Sequence, residues 1–144
     1  MILPDVNLLL HAYNADSPVH GRARAWWEGV LSRPVPGVGL AWAVALAYIR
    51  ITTHPRIMEN PLNVALALAH VEAWLAQPQV SLVHPGRRHA TLLFDLLRTL
   101  GTAGNLTTDA HLAALAMEHQ ATLCSTDADF GRFPGLKWEN PLAE

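Results

Sequence analysis

The sequence is poor in cysteine, in lysine and in charged residues generally. Its one cysteine, Cys124, excludes a disulfide within the chain and a cysteine-rich zinc site, and it is typical of a reducing, cytoplasmic setting. Charged residues make up only 15% of the 144 residues, which predicts that a partner or a second copy covers some apolar surface. The formal net charge of −2 gives no general attraction for nucleic acid, so RNA binding requires a local basic patch.

Long apolar runs and several catalytic motifs are also missing. The run AWAVALAYI, followed at once by Arg50, is shorter than the roughly 18 residues that cross a membrane. The apolar N-terminus contains Asp5 and lacks the basic segment of a signal peptide, so we expect no membrane association. No GxSxG, Walker or GxGxxG motif supports a serine hydrolase or a P-loop enzyme. The length suits one domain over residues 1–144.

Short apolar segments alternate with helical patterns between clusters of Pro and Gly. Strands are predicted at 2–3, 38–40, 80–83, 121–125 and 136–138, and helices after Asp5 and at 19–31, 44–53, 61–76, 89–100 and 108–118. Strands that alternate with helices indicate an α/β fold around a mostly parallel sheet. Short apolar strands such as VSLV suit burial on both faces of that sheet.

Four of the six aspartates lie where a predicted element begins or ends. Asp5 follows the first strand, Asp127 and Asp129 follow the strand ATLCS, and Asp109 opens a helix that a preceding threonine can cap. Parallel α/β sheets bind ligands outside the carboxyl ends of their strands, which is where these acids would meet. Taken singly, Asp109 also fits a first-turn acid and Asp127 a turn or N-cap residue.

Four carboxylates within a few ångströms of one another cannot all be ionised, because like charges raise each other's pKa. A divalent cation removes this conflict, and carboxylates without His or Cys suit Mg²⁺ or Mn²⁺ better than zinc. Such a cation lowers the pKa of a bound water and stabilises charge on phosphoryl oxygens. The pattern therefore predicts a metal site that attacks phosphodiesters.

Three blocks of the sequence resemble the PIN-domain family, and within it the VapC-type toxins of bacterial type II toxin–antitoxin pairs. The blocks are PDVNLLLHAY, GNLTTDAHLAALAMEHQATL and STDADFGRFPGLKWENPL, in this order along the chain. The stretch LAWAVALAYIRITTHPRIMENPLNVALA resembles one VapC subgroup. The likeness therefore covers nearly the whole chain, and the three blocks together are quite specific.

The resemblance implies a three-layer α/β/α sandwich and a metal-dependent endoribonuclease that hydrolyses RNA with a metal-activated water. The matching positions are Asp5, Asp109 and Asp127 for catalysis and metal binding, Asp129 as a further metal acid, and Asn7 and Thr126 in support. The resemblance also implies Mg²⁺ or Mn²⁺ as cofactor, a homodimer, and a cognate antitoxin that covers the site.

The sequence departs from the family at one position. The family usually carries a Glu in the helix after the second strand, in a pattern like ELxR, whereas this chain reads AYIR with Ala47 at that place. The nearest acids in sequence, Glu28 and Glu59, lie outside this helix. The missing Glu leaves the number of bound metal ions open. It also leaves an alternative function open, that of a PIN-fold module that binds RNA or a partner without cleaving RNA. Because the subgroup often lacks this Glu, its loss does not imply inactivity.

Arginine supplies nearly all of the positive charge, and its planar group suits phosphate recognition. The candidates for RNA contacts are Arg50, Arg87, Arg88 and Arg132, although each also fits an ordinary solvated side chain. Four tryptophans on predicted helices fit either the core or a protein interface.

Aspartyl-phosphate proteins, such as haloacid dehalogenase-like phosphatases and receiver domains, are a second class with an Asp after the first strand. Both need a Lys that neutralises phosphate, and the single lysine of this chain, Lys137, is close to the C-terminus. The phosphatase pattern also needs a second Asp two residues after the first, where this chain has Asn7. The sequence therefore favours the ribonuclease.

Overall fold

The fold is built on a five-stranded sheet in which all strands run parallel. In the computed structural model, which describes residues 1–144, the strands are β1 (Ile2–Pro4), β2 (Val38–Ala41), β3 (Val80–Val83), β4 (Thr122–Cys124) and β5 (Trp138–Glu139). They lie in the order β3-β2-β1-β4-β5, and Ile2 of β1 pairs with both Val38 and Thr122. The prediction of a mostly parallel sheet is confirmed.

Six helices connect these strands in two groups. They are α1 (Val6–Tyr13), α2 (His20–Ser32), α3 (Trp42–Thr52), α4 (Val64–Leu75), α5 (His89–Leu100) and α6 (Thr107–Glu118). Helices α1 to α4 pack together and connect β1, β2 and β3, whereas α5 and α6 pack as a pair and lead from β3 to β4. Because crossovers between parallel strands are right-handed, the two groups cover opposite faces of the sheet and form a three-layer α/β/α sandwich. None of the helices is long and apolar enough to cross a membrane.

The core explains why the strands are short and apolar. A cluster of 29 buried residues spans the sheet and the inner faces of the helices, and every position of β1 and β2 is buried. In β1 and β2, which are covered on both faces, polar residues appear only after the strand ends. The prediction that VSLV is buried on both faces is wrong for the edge strand β3, in which Ser81 is exposed. The first such position after β1 is Asp5, which lies at the carboxyl edge of the sheet.

Two helix starts differ from the sequence prediction by two or more residues. Helix α3 begins at Trp42 rather than residue 44, because β2 runs into it without a loop. Helix α4 begins at Val64 rather than residue 61, because the Asn63 side-chain oxygen accepts a hydrogen bond from the Leu66 N–H at 2.9 Å and caps the helix there.

The predicted threonine cap of α6 is wrong. Thr107 and Thr108 lie within the first turn of the helix, and the preceding residue, Leu106, occupies the cap position without any side-chain cap bond. A 3₁₀ turn, Gly104–Leu106, leads straight into α6. This early start places Asp109 as the third residue of the helix, at its N-terminal end.

Candidate acid-lined active site

Asp5 lies between β1 and α1, and its carboxylate is held by two donors. Its Oδ1 accepts a hydrogen bond from the Val6 N–H and its Oδ2 accepts one from the Ser125 hydroxyl, both at 2.8 Å. Asp5 is only 6% exposed. Burial raises the pKa of Asp5 above its ordinary value of 3.8, although the two hydrogen bonds act in the opposite direction. The two fixed donors offset part of the cost of burying a carboxylate and set its orientation.

The segment after β4 carries Asp127 and is tied to Asp5 through the same serine. The Asp127 N–H donates to Ser125 Oγ at 3.0 Å, while the Asp127 carboxylate caps the 3₁₀ helix Ala128–Arg132 by accepting from the Asp129 N–H at 2.9 Å. Because β1 and β4 are paired neighbours, one serine can join the two acids that follow them. The structure thereby links the ends of two strands by a short chain of hydrogen bonds.

Asp109 reaches the same region from the layer formed by α5 and α6. Its pKa is raised from 3.8 to about 6, chiefly by burial and further by the negative charges of Asp5, Asp127 and Asp129. A carboxylate at the N-terminal end of a helix is normally favoured by the helix dipole, so the upward shift shows that burial and repulsion prevail here. The four acids therefore act on one another electrostatically.

Three of these acids, Asp5, Asp109 and Asp127, line one cavity of about 330 Å³. The other lining residues are Val6, Asn7, Ala43, Val44, Ala47, Arg50, Ile51, Thr108 and Leu112. The cavity lies outside the carboxyl ends of β1 and β4. The chain runs from β1 through β2 to β3 on one side of β1, and then crosses to β4 on the other side. The gap between β1 and β4 is therefore the topological switch point, and parallel sheets bind ligands at the carboxyl edge there.

A larger cavity, of about 540 Å³, lies among α1, α2, α3 and α4. Its walls are mainly apolar and aromatic, and none of the four aspartates lines it. We place the candidate site in the smaller cavity because carboxylates with a raised pKa and converging polar groups indicate chemistry, whereas size alone does not.

The residues expected to support the acids are only partly where the sequence placed them. Asn7 lines the cavity, but Thr126 does not, and the adjacent Ser125 makes the hydrogen bonds instead. Asp129 is exposed and outside the cavity wall, where it donates its N–H to Asp127. Ala47 lines the cavity, so the position at which the family usually has a Glu does face the acids.

The four candidate arginines are dispersed. Only Arg50 lines the acid cavity. The Arg88 N–H donates to Glu118 at the last turn of α6, and Arg87 precedes Arg88 in the same loop. Glu118 is about 14 Å along the helix from Asp109, so both arginines lie far from the acids. Arg132 is exposed at the end of the 3₁₀ helix after Asp127. The structure therefore brings one of the four together with the acids.

The acids do not form a closed cluster of ligands in this structure. No three His, Cys, Asp or Glu side chains stand close enough together to hold a metal ion among them. The carboxylates share one cavity and one electrostatic field without closing into a tight cluster.

Comparison with known sequences decides the family. The PIN domain model matches residues 2–136. This chain belongs to the PIN domain family. Ribonuclease VapC33 of Mycobacterium tuberculosis is 44% identical over 144 residues, which is the full length of both chains. Ribonuclease VapC37 of the same species is 44% identical over 143 residues and covers 99% of each chain. The expected resemblance to VapC ribonucleases is confirmed.

Solved structures share this PIN fold at low sequence identity. VapBC2 from Rickettsia felis, bound to a promoter DNA fragment, gives a TM-score of 0.70 at 17% identity over 97% of this chain and 98% of that one. VapC20 of Mycobacterium tuberculosis, described as a sarcin-ricin loop cleaving toxin, gives a TM-score of 0.67 at 18% identity. The match covers 95% of this chain and 99% of that one. These matches confirm the three-layer fold.

Proposed function

We propose that this PIN domain is a metal-dependent endoribonuclease that acts as the toxin of a toxin–antitoxin pair. The observation that carries the proposal is the convergence of Asp5, Asp109 and Asp127 on one cavity at the switch point of the sheet. The family membership agrees with it, since relatives that are 44% identical over the whole chain are named ribonucleases.

The acids fit a divalent cation by their chemistry. The pKa of Asp109, raised to about 6 by burial and by three neighbouring carboxylates, indicates negative charge that lacks compensation. Mg²⁺ commonly uses only one or two protein carboxylates and keeps several waters, so the absence of a closed three-ligand cluster is compatible with it. Asp5, Asp109 and Asp127 would hold Mg²⁺ or Mn²⁺, with Asp129 adding charge from outside the cavity. When bound there, such a cation would lower the pKa of a bound water and would stabilise charge on the phosphoryl oxygens.

The surrounding residues have a positioning role. Ser125 fixes the direction of the Asp5 carboxylate and holds the Asp127 backbone, so one hydroxyl sets the spacing of two acids. Asn7 offers an amide on the cavity wall. The two bonds of Ser125 hold Asp5 and the Asp127 backbone in place against the mutual repulsion of the carboxylates.

We further propose a homodimer and a cognate antitoxin, in a cytoplasmic protein that acts on RNA. Several large apolar side chains are exposed on α3 and α4, namely Trp42 and Leu46 of α3 and Val64, Leu66 and Leu68 of α4. Unpartnered apolar surface of this kind is typical of protein interfaces. Light scattering of the isolated chain measures the oligomeric state, and co-purification with the protein encoded beside it tests the antitoxin.

Cleavage of RNA tests the proposed activity. The purified chain with Mn²⁺ should cut structured RNA, and cleavage should stop with EDTA and in Asp5→Asn. A folded wild-type protein that leaves a broad set of RNAs intact with Mn²⁺ or Mg²⁺ would contradict the proposal.

One observation favours a second candidate, a PIN module that binds RNA or a partner without cutting. Ala47 faces the acids from α3, so a carboxylate is missing from the cavity wall itself. If the wild-type chain binds RNA but does not cut, and Asp5→Asn has the same affinity, the module is supported.

A further inference from the structure

The α3 wall of the acid cavity carries a single polar side chain. Five residues of α3 line the cavity: Ala43, Val44, Ala47, Arg50 and Ile51. Four of them are apolar, and Arg50 is the exception. The three lining acids come from the other sides of the cavity, at the ends of β1 and β4 and at the start of α6. The cavity is therefore negative on one side and positive at one point on the other.

Arg50 is free of protein partners although it shares a cavity with three carboxylates. The ion pairs of the structure are Arg22–Glu144, Arg24–Glu28 and Arg98–Asp95, and none of them includes Arg50. No carboxylate oxygen thus lies within 4.0 Å of its guanidinium. A guanidinium has five N–H donors in a planar fork, and those of Arg50 remain available to a ligand. Arg50 is therefore an exposed cation on the wall of the acid cavity, and the acids do not neutralise it.

We propose that Arg50 is a positioning residue that binds a phosphate of the RNA strand at the cleavage site and holds it against the acids. This inference rests on the proposed ribonuclease function and assigns the binding of the substrate to one residue. An anionic phosphodiester is repelled by three carboxylates, and one divalent cation offsets only part of their charge, so a free guanidinium on the same cavity wall favours its approach. Arginine contacts phosphate through two parallel hydrogen bonds, which orient the group as well as attract it.

Steady-state cleavage kinetics separate positioning from a structural role. Arg50→Gln should raise KM about tenfold and leave kcat within about threefold, since a charge-assisted contact to bound substrate is lost. Arg50→Lys should recover part of the loss. The matched control is Arg33→Gln, because Arg33 donates to the Gly29 carbonyl at the end of α2 and does not line the cavity. An unchanged KM in Arg50→Gln would overturn the proposal.

A binding measurement keeps the inference separate from the activity. In the Asp5→Asn background, fluorescence anisotropy with a labelled single-stranded RNA should show weaker binding for Arg50→Gln and a salt dependence whose slope falls by about 0.7. The same slope in both proteins contradicts the phosphate contact, whether or not the wild type cleaves. Failure of wild-type cleavage with Mn²⁺ contradicts the proposed function instead.

Discussion

Ser125 stands between the two acids that follow β1 and β4, donating its hydroxyl to Asp5 Oδ2 and accepting the Asp127 N–H. Its removal leaves a buried carboxylate with one donor fewer, a loss of about 1.5–3 kcal/mol for a hydrogen bond to a charged group. The pKa of Asp5, already raised by burial, should rise further.

We therefore predict that Ser125→Ala lowers kcat for RNA cleavage by about tenfold or more. Thr126→Ala is the matched control, because the neighbouring hydroxyl makes none of these contacts and should be nearly neutral. Circular dichroism checks that both variants fold. Equal losses in the two variants would show that Ser125 has no special role.

Asp109 allows a prediction about pH. Its folded-state pKa of about 6 lies above its ordinary value of 3.8, so the folded protein holds this proton more tightly than the unfolded chain. The stability that Asp109 contributes is therefore fully present below about pH 4 and is lost as the pH rises through about 6.

In EDTA at neutral pH, Asp109→Asn should consequently have a higher Tm than wild type, and the difference should shrink towards about pH 4. Thermal melts across this range measure it. Asp95→Asn, which alters an exposed acid paired with Arg98, is the control and should not show the pattern. A lower Tm for Asp109→Asn at neutral pH would mean that the helix dipole outweighs repulsion.

The acids could be located from sequence because each follows a recognisable strand or opens a recognisable helix. Ser125 could not, since a serine at the end of a strand looks like any turn residue. The one sequence signal for Ser125 was its position two residues before Asp127, because a serine hydroxyl often accepts the backbone N–H of the residue two positions later. Thr126 was the plausible choice, but it lies at a bend and does not line the cavity, whereas the Ser125 hydroxyl bonds both Asp5 and the Asp127 N–H.

At the scale of elements, the start of α5 depends on a clamp from α6. The Glu118 carboxylate accepts the Gly86 N–H at 2.7 Å and the Arg88 N–H at 2.9 Å. These two bonds lower the pKa of Glu118. A Cβ at position 86 would lie 2.6 Å from Glu118 Oε2, so the clamp requires glycine there.

Gly86→Ala should therefore lower the Tm by a few degrees, because the Glu118 side chain must move and give up its hydrogen bonds. Gly21→Ala is the control, since a Cβ added in α2 meets no atom within 4 Å and should leave the Tm unchanged or slightly higher. A Tm in Gly86→Ala equal to that of wild type would show that the clamp contributes nothing to stability.

Helix starts were the least predictable part of the elements. The pattern of apolar residues located all six helices, yet α4 starts only after the Asn63 cap and α6 starts from a 3₁₀ turn. Apolar spacing reports which face of a helix is buried, whereas the first turn is decided by individual hydrogen bonds that several neighbouring residues could provide.

At the scale of the molecule, the alternation of strands and helices predicted a parallel sheet, and the acids at strand ends predicted a site at its carboxyl edge. The strand order β3-β2-β1-β4-β5 was not readable from single segments, because it depends on long-range pairing. That order makes β1 and β4 neighbours and thereby brings Asp5 and Asp127 to one cavity. Repulsion among the acids therefore lowers the stability of the fold, and the proposed function requires the acids to be this close.

Asp5, Asp109 and Asp127 are proposed to form one cation-dependent catalytic unit, and the rate of RNA cleavage with Mn²⁺ across a set of single Asp→Asn variants tests this directly. Each of these three substitutions should abolish cleavage, Asp129→Asn should reduce it by roughly tenfold at most, and Asp16→Asn, on the surface, should leave it unchanged. Full activity in any of the three cavity variants, with EDTA still inhibiting, would show that the three acids do not form one catalytic unit.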